Sequence, residues 1–258
     1  MKKQNYQHSK KIKAVIIGIL TLAAVLFSVP FLQDFYTCYV KSTTTVKYAS
    51  KLPESIQPAE TIHAPTLQTV LGMQTQARTA VGRVVMPSVG LDDDIYAGLT
   101  NENLFYGAVT LFPNRTVRKH NLVLIGHNMG HTKVHFGVLK DAKVGQKVYL
   151  QYLGKYYQYT VYKTSTILET QINKVKDTVD SELSLVTCSA PTQTPNRILL
   201  QAKFDGLIAN PRSQANMQRS HMKMVNNTQK SVVGYDFWPI FIIWLVYLLL
   251  VILVIVLK

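Results

Sequence analysis

The sequence contains only two cysteines in 258 residues, which allows at most one disulfide bond. Cys38 follows a long apolar segment near the N-terminus, whereas Cys188 ends a predicted strand much later in the chain. A structural disulfide is the ordinary use of two cysteines in an exported protein. A bridge between these two would nevertheless join regions that have no reason in the sequence to meet. We therefore expect Cys188 to be a free thiol.

Acidic residues are also scarce, since 14 Asp and Glu stand against 28 Lys and Arg, and the net charge is +14. Such an excess can indicate nucleic-acid binding, so its distribution matters. Residues 1–13 carry +5, residues 14–79 carry +1, residues 80–208 carry +4 and residues 209–258 carry +4. Most of the excess flanks two long apolar runs. This distribution argues against a nucleic-acid partner and favours attraction to anionic membrane lipid or wall polymer.

Charged residues are absent from these two apolar runs, one near each end of the chain. Residues 14–32 are long enough to cross a bilayer as a helix, and the basic tail before them, residues 1–13, is expected in the cytoplasm. No small-residue cleavage site follows, so a retained anchor is favoured over the alternative of a cleavable signal peptide. Residues 237–257 form the second predicted transmembrane helix. Both termini would then be cytoplasmic, and the domain between the helices would lie outside the cell membrane.

Between the apolar runs, composition predicts a stalk, a mainly β domain and a polar linker. Residues 33–79 hold a Ser/Thr run and several prolines, which predicts a loosely structured extracellular stalk with a short helix near residues 67–78. Residues 80–208 form the predicted β domain, and residues 209–236 form the linker. In this domain eight short β-branched segments predict a closed eight-stranded β-barrel. They are residues 81–86, 94–97, 108–111, 121–125, 146–152, 155–167, 184–188 and 197–204.

Three predicted strand ends carry the residue types of a cysteine acyl-transfer site. His127 follows an apolar strand that ends in Gly126, a glycine that would let the chain turn. Cys188 ends the run Leu-Val-Thr-Cys, and Arg197 begins the next strand. Cysteine attacks an amide carbonyl as the thiolate; a neighbouring His can raise the thiolate fraction by ion pairing and then protonate the leaving amine. Arg stays charged and can donate several hydrogen bonds to a developing oxyanion. We therefore expect these three side chains at one rim of the barrel.

These segments, Gly-His-Asn-Met at residues 126–129, Leu-Val-Thr-Cys at 185–188 and Asn-Arg at 196–197, resemble the signature segments of sortases, in the same order. The opening strands of the domain are similar to those of class A sortases. The resemblance implies a cysteine transpeptidase with His127, Cys188 and Arg197 as its catalytic residues. It also implies the substrates: surface proteins with a Leu-Pro-x-Thr-Gly-type sorting signal, cleaved between Thr and Gly, and an amine of a peptidoglycan precursor that accepts the acyl group.

The resemblance also suggests supporting residues around the catalytic ones. Asn128 follows the histidine, and Thr187 is a candidate for orienting the thiol or the substrate, with an ordinary strand residue as the alternative. Residues 165–182 correspond to the loop that covers the sorting signal in sortases. The candidates for its apolar wall are Ile167, Leu168, Ile172, Val175 and Val179.

No cofactor is expected, although some class A sortases bind calcium through acidic residues near this region. Asp92, Asp93 and Asp94 are adjacent, and three successive carboxylates on a strand cannot all face one ion, so a turn is favoured over a calcium site. Other histidines near His127, namely His120, His131 and His135, are expected to be solvated or partly packed. His135 stands where sortases more usually have an aliphatic residue.

Two alternatives to this function stay open. The C-terminal anchor departs from the usual class A arrangement and is similar to class C sortases, which polymerise pilins through a pilin lysine. Gly-His-Asn-Met and the lack of an Asp-Pro-aromatic lid motif oppose that alternative. A non-catalytic, membrane-tethered wall-binding protein would have no need for Cys, His and Arg at three strand ends. A cysteine L,D-transpeptidase is a weaker rival, because its Ser/Thr-His-Gly-Cys run is absent.

Overall fold

The computed structural model describes residues 2–129, 135–209 and 238–256, which belong to two compact units. One unit contains the first helix, α1 (Lys2–Thr43), as far as Tyr36, together with the C-terminal helix Trp238–Val256. The other unit begins at Thr37 and contains the barrel. The predicted polar linker lies outside the described residues, apart from residue 209, and so does Lys258.

Within the described residues, the second unit is built around a closed barrel of eight strands, as the sequence predicts. Two short strands come before the barrel and pair in parallel, β1 (Val46–Tyr48) and β2 (Arg78–Ala80). The barrel strands are β3 (Gly82–Met86), β4 (Leu91–Ala97), β5 (Ala108–Thr110), β6 (Asn121–Ile125), β7 (Lys147–Tyr152), β8 (Lys155–Leu168), β9 (Glu182–Cys188) and β10 (Asn196–Leu207).

The order of strands around the barrel is β10-β8-β7-β3-β4-β5-β6-β9, and β9 pairs with β10 to close it. The β4–β5 and β6–β9 pairs are parallel, and the other neighbours are antiparallel. Alternate side chains of β7 and β8 are buried, because one face of each strand packs on the core and the other meets solvent. β9 is buried on both faces from Leu183 to Thr187, so its apolar residues Leu183, Leu185 and Val186 divide between the two faces.

The predicted stalk is more ordered than its composition indicates. β1 follows α1 after two residues and pairs with β2, so this part of the stalk is tied to the strand that leads into the barrel. The predicted helix near residues 67–78 is present but shorter, as α2 (Leu67–Gly72). Its N-cap is Thr66, whose hydroxyl accepts a hydrogen bond from the backbone N–H of Thr69 at 3.2 Å. A third helix, α3 (Asn101–Tyr106), leads into β5.

Two helices are long and apolar enough to cross a membrane, over Lys10–Lys41 and Trp238–Val256, and the first unit contains the first of them as far as Tyr36 together with the second. Hydrogen bonds join the two helices. The Lys13 ammonium donates to the carbonyl of Ile255 at 3.1 Å, and the hydroxyls of Thr21 and Tyr247 lie 2.9 Å apart. The earlier residue of α1 thus meets the later residue of its partner, so the two helices run antiparallel. Hydrogen bonds between hydroxyl side chains are a common contact between helices in an apolar environment.

Candidate active site

The parallel pairing of β6 with β9 places His127 beside the end of β9. The backbone N–H of Gly126 donates to the carbonyl of Val186 at 3.1 Å, which continues the pairing one residue beyond β6. The amide nitrogen of the Asn128 side chain then donates to the carbonyl of Cys188 at 2.9 Å. His127 therefore lies between two contacts to the end of β9. Asn128, predicted only as a supporting residue, makes one of these two contacts.

The antiparallel pairing of β9 with β10 places Arg197 directly opposite Cys188. The backbone N–H of Ser189 donates to the carbonyl of Asn196 at 3.0 Å, so residues 189–195 form the connecting loop. On its other side, Arg197 is paired with Ile167 of β8. The three strands therefore place Cys188, Arg197 and Ile167 side by side, with His127 next to the cysteine. Cys188 is a free thiol.

The face of the sheet that carries Cys188 is apolar and lies outside the barrel core. Successive side chains of a strand point to opposite faces, so Cys188 shares its face with Val186, while Thr187 shares the core face with Leu185. A cluster on the outer face is made by four buried residues with others packed against them. The buried members are Val123, Val175, Val186 and Leu199, and the others are Leu111, Phe112, Ile125 and Ile167.

Thr187 is fully buried on the core side, and among the described residues its hydroxyl has no hydrogen-bond partner. Its side chain points away from the face that presents the thiol. The structure therefore offers Thr187 no contact through which its hydroxyl would orient the thiol, which favours the alternative of an ordinary strand residue.

The loop between β8 and β9 contributes less apolar surface than the sequence indicates. It contains a 3₁₀ helix, Ile172–Val175, of which only Val175 is buried, in the outer-face cluster. Arg115 holds this helix by donating to the carbonyl of Val175 at 3.1 Å. Ile172 is exposed, and Leu168 is exposed on the opposite face from Ile167. Of the predicted wall residues, Ile167 and Val175 thus belong to the cluster beside Cys188, and Val179 is 98% exposed.

Gly126 has a different function from the one that its position suggests. The sequence indicates that a glycine here lets the chain turn, yet Gly126 does not have the positive φ that favours glycine. A Cβ atom at this position would instead lie 2.6 Å from the ring of Phe136. Gly126 is thus required by the close approach of Phe136, and the backbone N–H of Phe136 donates to the carbonyl of His127 at 2.9 Å.

The His127 imidazole is 9% exposed, and this burial controls its charge. Burial, reinforced by the neighbouring His135, lowers the pKa of His127 to about 4. His127 is therefore neutral near pH 7. This differs from the ion pair expected from the sequence, because a neutral imidazole does not stabilise a thiolate by charge. It can accept the thiol proton as the sulfur attacks.

The guanidinium of Arg197 is held by acceptors beside the loop. It donates to the carbonyls of Thr194 and Asn196, and its Nη2 lies 2.5 Å from Oε2 of Glu169. Glu169 was not singled out from the sequence. The pairing of Arg197 with Ile167 in adjacent strands is the signal that could have found it, because Glu169 lies only two residues beyond Ile167. The pair fixes the guanidinium beside the start of β10, the strand end that is paired with Cys188.

The acidic run is not the turn predicted from the sequence. Asp92, Asp93 and Asp94 lie within β4, and each has a partner from another element. Asp92 pairs with Arg83 at 2.5 Å, and Asp94 accepts from the hydroxyl of Tyr48 at 2.6 Å. Because these partners offset the cost of placing carboxylates in a strand, the local sequence alone is misleading. Among the described residues, no group of three His, Cys, Asp or Glu side chains has the arrangement of a metal site.

Of the other histidines, His135 is also not as predicted. It is fully buried and pairs with the buried carboxylate of Asp93 at 3.0 Å, so it is neither solvated nor loosely packed. His120 is partly exposed and lies 2.5 Å from the carboxylate of Asp177, away from the thiol. His131 lies outside the described residues.

The lowered pKa of His127 has a consequence for stability that can be measured. Between about pH 4 and 6.5 the unfolded chain binds more protons at this residue than the folded protein does. The contribution of neutral His127 is therefore complete above pH 6.5 and is lost as the pH falls toward 4. When the pH is lowered across this window, we expect the titration of His127 to reduce the free energy of unfolding by up to about 3 kcal/mol.

Denaturant unfolding at pH 7 and pH 4 tests this expectation, with His127→Gln as the matched variant because it cannot take up a proton. Between pH 7 and pH 4, the free energy of unfolding should fall less in His127→Gln than in the parent, by up to about 3 kcal/mol. Equal losses in the two proteins would mean that His127 is not held neutral by burial.

Comparison with known proteins shows the family of this chain. The sortase domain family model matches residues 84–205. Sortase A of Listeria monocytogenes serovar 1/2a is 30% identical over 202 residues, which cover 75% of this chain and 91% of the relative. Sortase A of Bacillus anthracis is 28% identical over 197 residues, which cover 74% of this chain and 93% of the relative. The crystal structure of Listeria monocytogenes sortase A aligns with a TM-score of 0.48 and 34% identity, over 50% of this chain and 88% of that one. The chain belongs to the sortase family of cysteine transpeptidases.

Proposed function

We propose that this sortase cleaves a Leu-Pro-x-Thr-Gly-type sorting signal between Thr and Gly and transfers the acyl group to an amine of a cell-wall precursor. The observation that carries the proposal is the arrangement at the ends of β6, β9 and β10, where Cys188 lies beside His127 and opposite Arg197. The apolar face around Val186, Leu199 and Ile167 continues from the thiol, and it suits the Leu and Pro side chains of such a signal.

The proposed reaction uses the neutral imidazole of His127 as both base and acid. His127 accepts the proton of the Cys188 thiol as the sulfur attacks the Thr carbonyl carbon, and the carbonyl oxygen becomes an oxyanion. The bond to the Gly nitrogen then breaks, His127 returns the proton to that nitrogen, and a thioester with Cys188 is left. The acceptor amine attacks the thioester and gives a proton to His127. Release of the sulfur with this proton completes a new amide bond and restores the thiol.

Arg197 provides the fixed positive charge in this scheme. Its position opposite Cys188 suits hydrogen bonding to the oxyanion or to the carbonyls of the bound signal. In the free protein its donors are occupied by Glu169 and two backbone carbonyls, so substrate oxygens would have to replace or join these partners. Glu169 is half exposed, and its carboxylate is the partner best able to move aside.

A pilin lysine is the alternative acceptor, and the observation that favours it is the C-terminal helix Trp238–Val256. The two acceptors differ in size and in the groups around the amine, so competition experiments separate them. The non-catalytic alternative does not agree with membership of a family of cysteine transpeptidases that includes relatives matched over most of their length.

We also propose that the protein is a membrane enzyme with its barrel outside the cell.

Removing each of the three central side chains should stop or slow cleavage without unfolding the barrel. We expect Cys188→Ala to be inactive, and His127→Ala and Arg197→Ala to lower kcat/KM by about a hundredfold or more. Arg197→Lys should restore only part of the loss, because an ammonium cannot reproduce the guanidinium fork. The measurement is cleavage of a Leu-Pro-x-Thr-Gly peptide, with mass spectra of the products formed with candidate amines.

An active Cys188→Ala protein would rule out the proposed nucleophile. A parent enzyme that forms no thioester with the peptide, although its thiol reacts with an alkylating reagent, would rule out the proposed signal.

The contact between Glu169 and Arg197 predicts an effect mainly on binding. In Glu169→Gln the charge that holds the guanidinium is gone, so substrate carbonyls compete with a weaker acceptor. We expect KM to fall by a few-fold, about 1 kcal/mol or less of binding for a half-exposed pair, while kcat changes little. Asp177→Asn is the matched control, since Asp177 pairs with His120 and Arg115 instead. A large drop in kcat for Glu169→Gln would instead mean that Glu169 orients Arg197 during the reaction.

The antiparallel contact between the two apolar helices supports a topology with both termini in the cytoplasm. If the helices cross the membrane, Lys13 and Ile255 lie on the same side of it, since they are hydrogen-bonded to each other. We expect a single cysteine placed next to Lys258, in a Cys38→Ser and Cys188→Ser background, to resist a membrane-impermeant thiol reagent in intact cells and to react after lysis. Labelling in intact cells would exclude this topology.

A further inference from the structure

Asp93 is a fully buried carboxylate that the reaction scheme does not use. It lies on the core-facing side of β4, between the buried side chains of Leu91 and Ile95. Two groups reach it from other parts of the chain. The ammonium of Lys41, near the C-terminal end of α1, pairs with Oδ1. Nδ1 of His135 lies 3.2 Å from the same Oδ1 and 3.0 Å from Oδ2. All three residues belong to the same compact unit.

The charges within this cluster explain how a carboxylate is kept in the barrel. Burial alone would raise the pKa of Asp93, but Lys41 and His135 hold it below its ordinary value, so the group is ionised. Burial, followed by the charge of Lys41, lowers the pKa of His135, so its imidazole is neutral. A neutral imidazole beside a carboxylate donates its Nδ1 hydrogen to it. The ring of His135 is therefore fixed in orientation by Asp93.

His135 is connected in turn to the segment that carries His127. His135 and Asn128 form an isolated antiparallel bridge, and the backbone N–H of Phe136 donates to the carbonyl of His127 at 2.9 Å. The backbone of His135 has φ 58° and ψ −148°, a conformation that residues with a side chain rarely adopt. Such a conformation persists only where the surroundings determine it. Here the contact with Asp93 on one side and the bridge on the other do so.

We propose that Asp93 is a positioning residue for the transfer reaction, acting through His135 on the backbone of His127, with Lys41 as the cation that keeps its carboxylate in place. The proposal rests on the proposed role of His127 as base and acid. It makes the geometry of the active site depend on a lysine in the last turn of α1. Asp93 itself touches neither the thiol face nor Arg197, because it lies on the core side of β4.

Two substitutions of Asp93 separate orientation from stability, measured in the full chain in detergent micelles. Asp93→Ala removes the carboxylate that accepts from Nδ1 of His135, and we expect kcat to fall by about 10- to 100-fold with KM nearly unchanged, the scale for a misplaced catalytic group. Asp93→Asn keeps an oxygen at the position of Oδ1, which accepts from both Lys41 and His135. We expect the kcat of this variant to stay within about threefold of the parent value. Asp92→Asn is the control: it breaks the pair with Arg83 on the opposite face and should leave kcat unchanged.

The outcomes decide between positioning and a purely structural role. If Asp93→Ala unfolds at a lower temperature but keeps the parent kcat per folded molecule, the proposal is overturned. It is also overturned if Asp93→Asn loses as much kcat as Asp93→Ala. Should Asp93→Ala not fold, His135→Ala removes the same contact while Asp93 keeps Lys41, and a parent-like kcat in that variant overturns the proposal equally.

The role of Lys41 is tested by a double-mutant cycle in thermal unfolding. Lys41→Met alone leaves the buried carboxylate without its cation, so we expect a clear drop in Tm. In the Asp93→Asn background the same substitution should have little effect, because no buried charge is left without a partner. Equal drops in both backgrounds would show that Lys41 does not act through Asp93, and would overturn this part of the proposal.

Alkylation separates failure of this inference from failure of the proposed function. The rate at which iodoacetamide modifies Cys188, in a Cys38→Ser background, depends on His127 but on no peptide. We expect Asp93→Ala to slow this rate as His127→Ala does. If the parent is alkylated in a His127-dependent way but cleaves no peptide, the proposed signal is wrong, and the Asp93 variants are still decided by their alkylation rates.

Discussion

The active site depends on one constraint, the pairing of β9 with a parallel strand on one side and an antiparallel strand on the other. Parallel pairing with β6 makes the two strands end together, so whatever follows β6 lies beside the last residue of β9. Antiparallel pairing with β10 brings the start of that strand to the same place. Cys188 therefore meets His127 and Arg197 without any long side chain having to span a gap. Closure of the barrel leaves β9 no freedom to shift its register.

Burial then decides how the assembled groups behave. Burial lowers the pKa of His127 and keeps its imidazole neutral, which is the form that the proposed proton transfer requires at its start. Burying the carboxylate of Asp93 in the same interior would be unfavourable without its partners Lys41 and His135. Burial is the main cause of the lowered pKa in both histidines, and His135 stays neutral even though it pairs directly with the carboxylate of Asp93.

Much of this arrangement could be predicted from the sequence, because it depends on local patterns. The strands show as β-branched runs, and the order of the motifs around His127, Cys188 and Arg197 is that of the family. What could not be predicted depends on contacts between distant segments. The sequence predicts a turn at Gly126, whereas the structure shows that the nearby ring of Phe136 leaves no room for a side chain there. The aspartates of β4 were predicted to form a turn, because the partners that stabilise them in a strand come from distant parts of the chain. Glu169 was missed because it meets Arg197 only when β8 and β10 pair.

The pairing of Arg197 with Glu169 also bears on what the site ignores. The catalytic domain, residues 80–208, carries a net charge of +4, and a guanidinium at a cleft without an acidic partner would bind any phosphate or carboxylate that this charge attracts. With Glu169 already bound, an incoming anion must displace a carboxylate of equal charge, so it gains little. A peptide carbonyl carries no charge, and it can approach the same fork together with an apolar side chain that the outer face accepts. The ion pair thus acts as a filter that favours neutral, partly apolar ligands over the anions around them.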